Sequence, residues 1–334
     1  WRNSNNNNRL IMTTYKEIRG TNIEAVASDP SNPVDGQVWY NTTSNTVKAN
    51  FIDPGSWSTG GALNTERTFT AGMGIQTAAL MAGGSPGPLG VTELYNGTNW
   101  TEVNDLTTAR YYGAGTGTQT AGLVFGGTPS SGVTAVTETW NGTNWTEVND
   151  LGTARQNLGG SGTNTAALAI GGKTSYPTAV AVTELWNGTN WTEVNDINTA
   201  RGSTPGTAGT QTSALYFGGP DGAPSLYADA ESWNGTNWTA VADLGTGRYT
   251  IGGAGSSNTN ALAFGGGAPG STALTESWNG SSWTELADMA NTRYGSGAAG
   301  ASNQSALNVS GRIGGSLTPL TEEWNVGPAT VTFD

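Results

Sequence analysis

The phrase Asn-Gly-Thr-Asn-Trp occurs four times, ending at Trp100, Trp145, Trp191 and Trp238, and a fifth copy, Asn-Gly-Ser-Ser-Trp, ends at Trp283. A bare Gly-Ser-Trp ends at Trp57, so the steps between these tryptophans are 43, 45, 46, 47 and 45 residues. A period in that range belongs to propellers and solenoids, in which one unit cannot bury its own apolar face and needs its neighbours.

One unit, Arg110 to Trp145, shows the internal order. Tyr111–Gly115 reads as a first strand, Gly117-Thr118-Gln119-Thr120 as a tight turn and Ala121–Phe125 as an apolar strand ending at Gly126-Gly127. After a variable loop, Val136–Trp140 reads as a third strand and Trp145–Val148 as a fourth. Asn141-Gly142 between them supplies the positive φ angles of a tight hairpin. Four short antiparallel strands per unit make a propeller blade. Arg67, Arg110, Arg155, Arg201, Arg248 and Arg293 open six such units. Each has a glutamate two residues before an aromatic: Glu93/Tyr95, Glu138/Trp140, Glu184/Trp186, Glu231/Trp233, Glu276/Trp278 and Glu322/Trp324.

The expected fold is therefore all-β, a six-bladed propeller with a short N-terminal non-repeat head. Residues 1–11 are Asn-rich and precede Met12, which reads as the native start; 12–56 form the head, with a hairpin of Gln37–Tyr40 against Thr46–Ala49; 57–334 form the propeller. The last unit lacks a second tryptophan after Trp324. Two segments compete for the open slot: the strand around Trp57, which would close the ring and leave no sheet edge free, and the alternating Ala329–Phe333. The first is the more economical.

The order Arg, Gly-Gly, Glu-x-Trp/Tyr, Trp resembles the kelch repeat over about residues 57–324, with Ser310-Gly311 as its one departure from diglycine. The head carries a second resemblance. Asp29-Pro30-Ser31-Asn32-Pro33, Gly36 to Thr43 and Thr46-Val47-Lys48 resemble the openings of tail-fibre and other virion proteins of tailed phages, notably marine ones.

Gly accounts for 51 of 334 residues, about twice the usual ~7%. Alone this suggests low complexity, but 11 of the 13 tryptophans fall at repeat positions, and disordered chains are poor in aromatics. With no His and no Cys, disulfides, imidazole or thiolate metal sites and His-based acid–base pairs are excluded. That also removes the copper ligands a kelch-type oxidase requires. The net charge of −12 without a Lys/Arg cluster argues against nucleic-acid binding. No apolar run approaches the ~20 residues of a membrane span, and no signal peptide is visible.

The landmarks repeat too evenly to form an active site, which needs one asymmetric constellation. Arg and Glu are expected to pair structurally, the tryptophans to pack between blades, and the glycines to meet backbone constraints. The Asn-Gly-Thr sequons are expected to be hairpin chemistry. Alternate turns of a meander lie on opposite faces. The first-to-second and third-to-fourth turns barely vary, whereas the second-to-third loops differ widely. Loops on a rigid scaffold carry specificity, so the candidate binding residues are Lys173, Tyr176, Asp221, Leu226, Tyr227 and Arg312.

Together these features point to a non-enzymatic virion component on a tail or capsid surface, with no cofactor or metal. The head would dock to other virion proteins, the propeller would contact a host-surface glycan or protein, and the chain would occur in symmetric copies. A cellular kelch interaction module or adhesin, and a carbohydrate-active propeller enzyme, are the competing readings.

Overall fold

The computed structural model describes residues 23–31, 36–52, 54–219, 228–268 and 270–333. The chain divides into a propeller, Pro54–Gly327, and a smaller unit built from both ends of the chain, up to Asp53 and from Pro328.

The propeller is all-β and consists of six four-stranded antiparallel sheets. Blade 2 runs Ala114–Thr118, Ala121–Phe125, Thr137–Trp140 and Trp145–Val148. The three outer strands match the sequence reading. The first does not: it begins at Ala114 rather than Tyr111, because Tyr111 and Tyr112 belong to the connection entering the blade. First strands are Gly-, Ala- and Thr-rich because they crowd around the axis. A Cβ on Gly72 would collide with the Ala298 carbonyl of the preceding blade, and one on Gly253 with the backbone of Thr207. Only glycine permits such approach.

The Arg and Glu landmarks pair within each blade. Arg155–Glu184 and Arg201–Glu231 lie at 2.9 Å and Arg248–Glu276 at 2.6 Å, and Arg67–Glu93, Arg110–Glu138 and Arg293–Glu322 form the same contact. All twelve side chains are buried. Most of the remaining valences are also used, although the Nε of Arg155, Arg201 and Arg293 has no partner among the described residues. Arg155 donates to the Gly171, Val182 and Ala169 carbonyls, while Glu184 accepts from the amides of Gly152 and Thr153. The guanidinium thus ties the second and third strands to the loop before the blade. Burial lowers the pKa of Arg155, and Glu184 acts against that shift.

The aromatic landmarks hold the blades to each other. The third-strand indoles of Trp140, Trp186, Trp233, Trp278 and Trp324 donate to carbonyls of their own first turns, as Trp140 does to Gln119 at 3.0 Å. Fourth-strand indoles reach backwards around the ring. Trp145 donates to Thr92 Oγ1 at 3.0 Å, Trp191 to Thr137 Oγ1 at 3.1 Å and Trp100 to Thr321 Oγ1 at 3.0 Å. Gln119 likewise donates to the Tyr95 carbonyl and Gln76 to the Trp324 carbonyl. The Trp100 and Gln76 bonds join blade 1 to blade 6.

Blade 6 takes its outer strand from the far end of the propeller segment. Ser56–Gly60 pairs antiparallel with Thr321–Asn325, placing Trp57 opposite Trp324. The C-terminal strand Pro328–Phe333 goes elsewhere, pairing with Thr46–Ile52. The propeller therefore ends at Gly327, short of the expected residue 334. The smaller unit is a sheet in the order Glu24–Val26, Val38–Asn41, Thr46–Ile52, Pro328–Phe333. Its expected hairpin is present, with Val38 opposite Ala49 and Asn41 opposite Thr46. Asp29 organises this unit by accepting from Trp39 Nε1 (3.0 Å), Asn41 Nδ2 (2.7 Å) and Lys48 Nζ (2.7 Å). These partners hold its carboxyl at a pKa of about 2, with Lys48 contributing most. Residues 1–11 and Met12 lie outside the described residues.

Both glycines of each diglycine are left-handed, as at Gly126 (65°) and Gly127 (104°). Ser310 keeps the first of these conformations, at φ 61°. Both positions of the diglycine thus carry the backbone constraint. A Cβ at Gly126 would press on the Arg155 carbonyl of the next blade. At Ser310 the hydroxyl turns that approach into a hydrogen bond, donating to the Arg67 carbonyl.

Candidate functional site

Each blade is entered through a short connection that follows its landmark arginine. The second residue after the arginine is left-handed in all six blades: Phe69 (58°), Tyr112 (59°), Asn157 (55°), Ser203 (84°), Thr250 (49°) and Gly295 (65°). In four of the six blades the amide of this residue donates to the same position of the preceding blade. Phe69 N donates to Gly295 O (2.7 Å), Tyr112 N to Phe69 O (3.2 Å), Asn157 N to Tyr112 O (2.9 Å) and Thr250 N to Ser203 O (2.9 Å). These bonds run from blade to blade and form a collar at the end of the axis where the first strands begin.

Below the collar lies a channel of about 440 Å³, lined by the first strands of all six blades. Its lining among the described residues is Gly, Ala, Ser and Thr with a few apolar residues, such as Met73, Leu158 and Ile251, and contains no ionisable side chain. The channel offers hydroxyls and peptide groups to a ligand, with no acid or base for proton transfer.

In five of the six blades the residue just after the arginine bridges to the residue after the diglycine. These pairs are Thr68/Ser85, Tyr111/Thr128, Gln156/Lys173, Tyr249/Gly267 and Tyr294/Arg312. Connections and variable loops therefore build one face together, and the side chains on it are unevenly distributed. Blades 5, 6, 1 and 2 contribute Tyr249, Tyr294, Phe69, Tyr111 and Tyr112, all half-buried. Phe69 and Tyr112 have ring centroids 4.3 Å apart, and Tyr111 and Tyr112 4.8 Å apart. Burial raises the pKa of the Tyr112 phenol; the nearby Tyr111 and Tyr294 phenols add to the shift and Arg312 opposes it. Blades 3 and 4 contribute polar groups, with Thr204 Oγ1 donating to Asn157 Oδ1 at 3.0 Å.

The structure brings the expected site residues together only in part. Lys173 is 3% exposed, so it is no solvent-facing contact; its ammonium donates to Ser203 Oγ (3.0 Å) and lies 5.2 Å from the Tyr176 ring centroid. Tyr176 is 80% exposed. Arg312 lies on a small hairpin, Arg312–Ile313 with Ser316–Leu317, and donates to the Gly315 carbonyl at 2.7 Å. It therefore belongs with the aromatic crescent and not with Lys173. Asp221, Leu226 and Tyr227 lie outside the described residues. Phe69, Tyr111, Tyr112 and Tyr294 escaped the sequence reading, which placed Tyr111 and Tyr112 in a strand. The signal was present: the two residues after each landmark arginine differ in every unit.

The opposite face is uniform. Asn96, Asn141, Asn187, Asn234 and Asn279 each accept from the amides two and three residues on, as Asn141 Oδ1 does from Thr143 and Asn144. Asn104, Asn149 and Asn195 clip these turns to the preceding blade. The sequon asparagines thus serve as turn and clip residues.

No family model matches the chain, and no curated protein does. Among solved structures 378 chains match. One is the structure of YjhT, with a TM-score of 0.67 at 11% identity, covering 80% of this chain and 99% of that one. At that identity the likeness speaks to the fold alone. With the repeat landmarks and the six sheets, it makes the chain a six-bladed kelch-like β-propeller.

Proposed function

We propose that this chain is a non-catalytic component of a tailed-phage particle, a tail fibre or surface protein whose propeller makes host-surface or subunit contacts. One observation carries the binding role: the groups that differ between blades gather on one face, while the rest of the ring is occupied with holding itself together. A channel lined by hydroxyls and peptide groups without an ionisable side chain favours binding over turnover.

The phage assignment is supported by the head. The residues that carry its resemblance to virion proteins include Asp29, Trp39, Asn41 and Lys48, and these form one hydrogen-bonded cluster. A folded module at that place suits docking to other virion proteins, with several copies on a symmetric particle. Two measurements test the reading. Mass spectrometry of purified particles should detect the chain, and excess soluble propeller should compete with particle adsorption to host cells. Particles lacking the chain would overturn the assignment.

A further inference from the structure

We infer that the aromatic crescent of Phe69, Tyr111, Tyr112 and Tyr294 is a binding site for an uncharged pyranose glycan, with the channel mouth beside it receiving the sugar hydroxyls. The inference rests on the reading of that face as the binding face and supplies its ligand class.

Backbone conformation provides the first argument. At the six equivalent left-handed positions, four blades use Asn157, Ser203, Thr250 and Gly295, and two use Phe69 and Tyr112. A bulky side chain at positive φ is a genuine outlier. Such strain gathers where a ligand is clamped. Four of the six positions carry neither glycine nor asparagine, and of these Phe69 and Tyr112 carry rings. These two lie in adjacent blades, and their rings are in contact.

The chemistry of the surroundings selects the ligand. A pyranose has an apolar C–H face, which stacks on aromatic rings, and an equatorial rim of hydroxyls. Rings stand on one side here. On the other are groups such as Thr70 and Ser296, where first strands enter the channel. The volume of about 440 Å³ falls within the range of small-ligand sites. Among the described residues, Arg312 is the one that brings charge to the crescent, and one of its nitrogens is committed to the Gly315 carbonyl. The chain carries a net charge of −12, which disfavours a polyanion.

Saturation-transfer NMR on the full chain tests this, using methyl α-glucopyranoside, methyl β-galactopyranoside, N-acetylglucosamine and cellotriose, with glucuronate as the anionic comparison. We expect transfer to the C–H protons of one face of at least one neutral sugar. Tyr111→Ala and Tyr294→Ala should weaken binding about tenfold, with melting curves confirming that the variants fold. Tyr111→Phe keeps the ring and should bind nearly as wild type. The inference is overturned if no neutral sugar shows transfer, if only glucuronate does, or if both alanine variants bind unchanged. Its failure is separable from that of the functional reading. If these variants still impair competition for particle adsorption, the face binds a protein, and only the glycan is lost. If competition is also indifferent to them, the binding face itself is wrong.

Discussion

Trp57 closes the ring without a covalent link to its partner strand, and replacing it isolates that closure. Its indole packs edge-on against Phe264 at 5.1 Å and against Trp324 at 5.5 Å, and donates to Thr275 Oγ1 at 2.9 Å. Trp191 in blade 3 makes the same set: Phe125 at 4.9 Å, Trp186 at 5.3 Å and Thr137 Oγ1 at 3.1 Å. Both are half-buried. Losing half a tryptophan's burial, two aromatic contacts and one hydrogen bond costs about 3 kcal/mol. Trp57→Ala and Trp191→Ala should therefore lower stability equally in a denaturant titration, by about 3 kcal/mol, and lower Tm by roughly 6–9 °C in a thermal melt. The two should differ in where the ring opens. Trp186 and Trp191 lie across a tight hairpin, so blade 3 recloses locally. Trp57 and Trp324 are joined only through the whole propeller. Hydrogen exchange should show lost protection at Thr321–Asn325 in Trp57→Ala and no comparable loss at Thr183–Trp186 in Trp191→Ala. Unchanged protection at Thr321–Asn325, or an equal loss in both variants, would refute closure by this strand.

The other predictions concern buried and titrating groups. Arg155→Met leaves Glu184 charged and buried, and should cost about 3–5 kcal/mol in urea unfolding; adding Glu184→Leu should restore much of it. Tyr95 donates to Glu323, and burial followed by that bond raises its pKa to about 12 from the usual 10. Its stabilisation is thus intact below pH 10 and lost as pH rises towards 12, so the Tm gap between wild type and Tyr95→Phe should narrow over that range. Asp29 shifts the other way, to about 2 from 3.8. Its contribution is present above pH 4 and lost as pH falls towards 2, read from the Trp39 indole resonance. Asp29→Asn should abolish that pH dependence.

Most of the propeller was legible because its signals are periodic. The second, third and fourth strands carry apolar runs, an Asn-Gly turn and a tryptophan, and these gave blade 2 its outer strands to within one residue. The arginine–glutamate pairing followed from equal numbers in fixed order. First strands carry no such pattern. Ala114–Thr118 reads Ala-Gly-Thr-Gly-Thr, and its register is set by crowding at the axis, which a single unit cannot reveal. That is why Tyr111 and Tyr112 were drawn into a strand. The C-terminal strand was misplaced for a related reason. Its alternation identifies a strand but not its partner, and Thr46–Ile52 lies almost the whole chain away.

The site depends on how much of each blade is free to vary. An arginine bonded on several sides, a glutamate capped by amides and an indole tied to the preceding blade leave no room for chemistry without opening the ring. The collar differs. Its left-handed turn recurs in all six blades whatever the residue, so the fold specifies φ there and leaves the side chain open. Asn157 and Gly295 satisfy that demand at little cost. Phe69 and Tyr112 satisfy it at about 1–2 kcal/mol each, and part of that cost is offset by their mutual contact. Both rings fall in adjacent blades, next to Tyr111, Tyr294 and Arg312, on the face where the six near-identical units cease to be equivalent. A binding surface on such a ring has to break its symmetry somewhere, and the collar is where the backbone allows it.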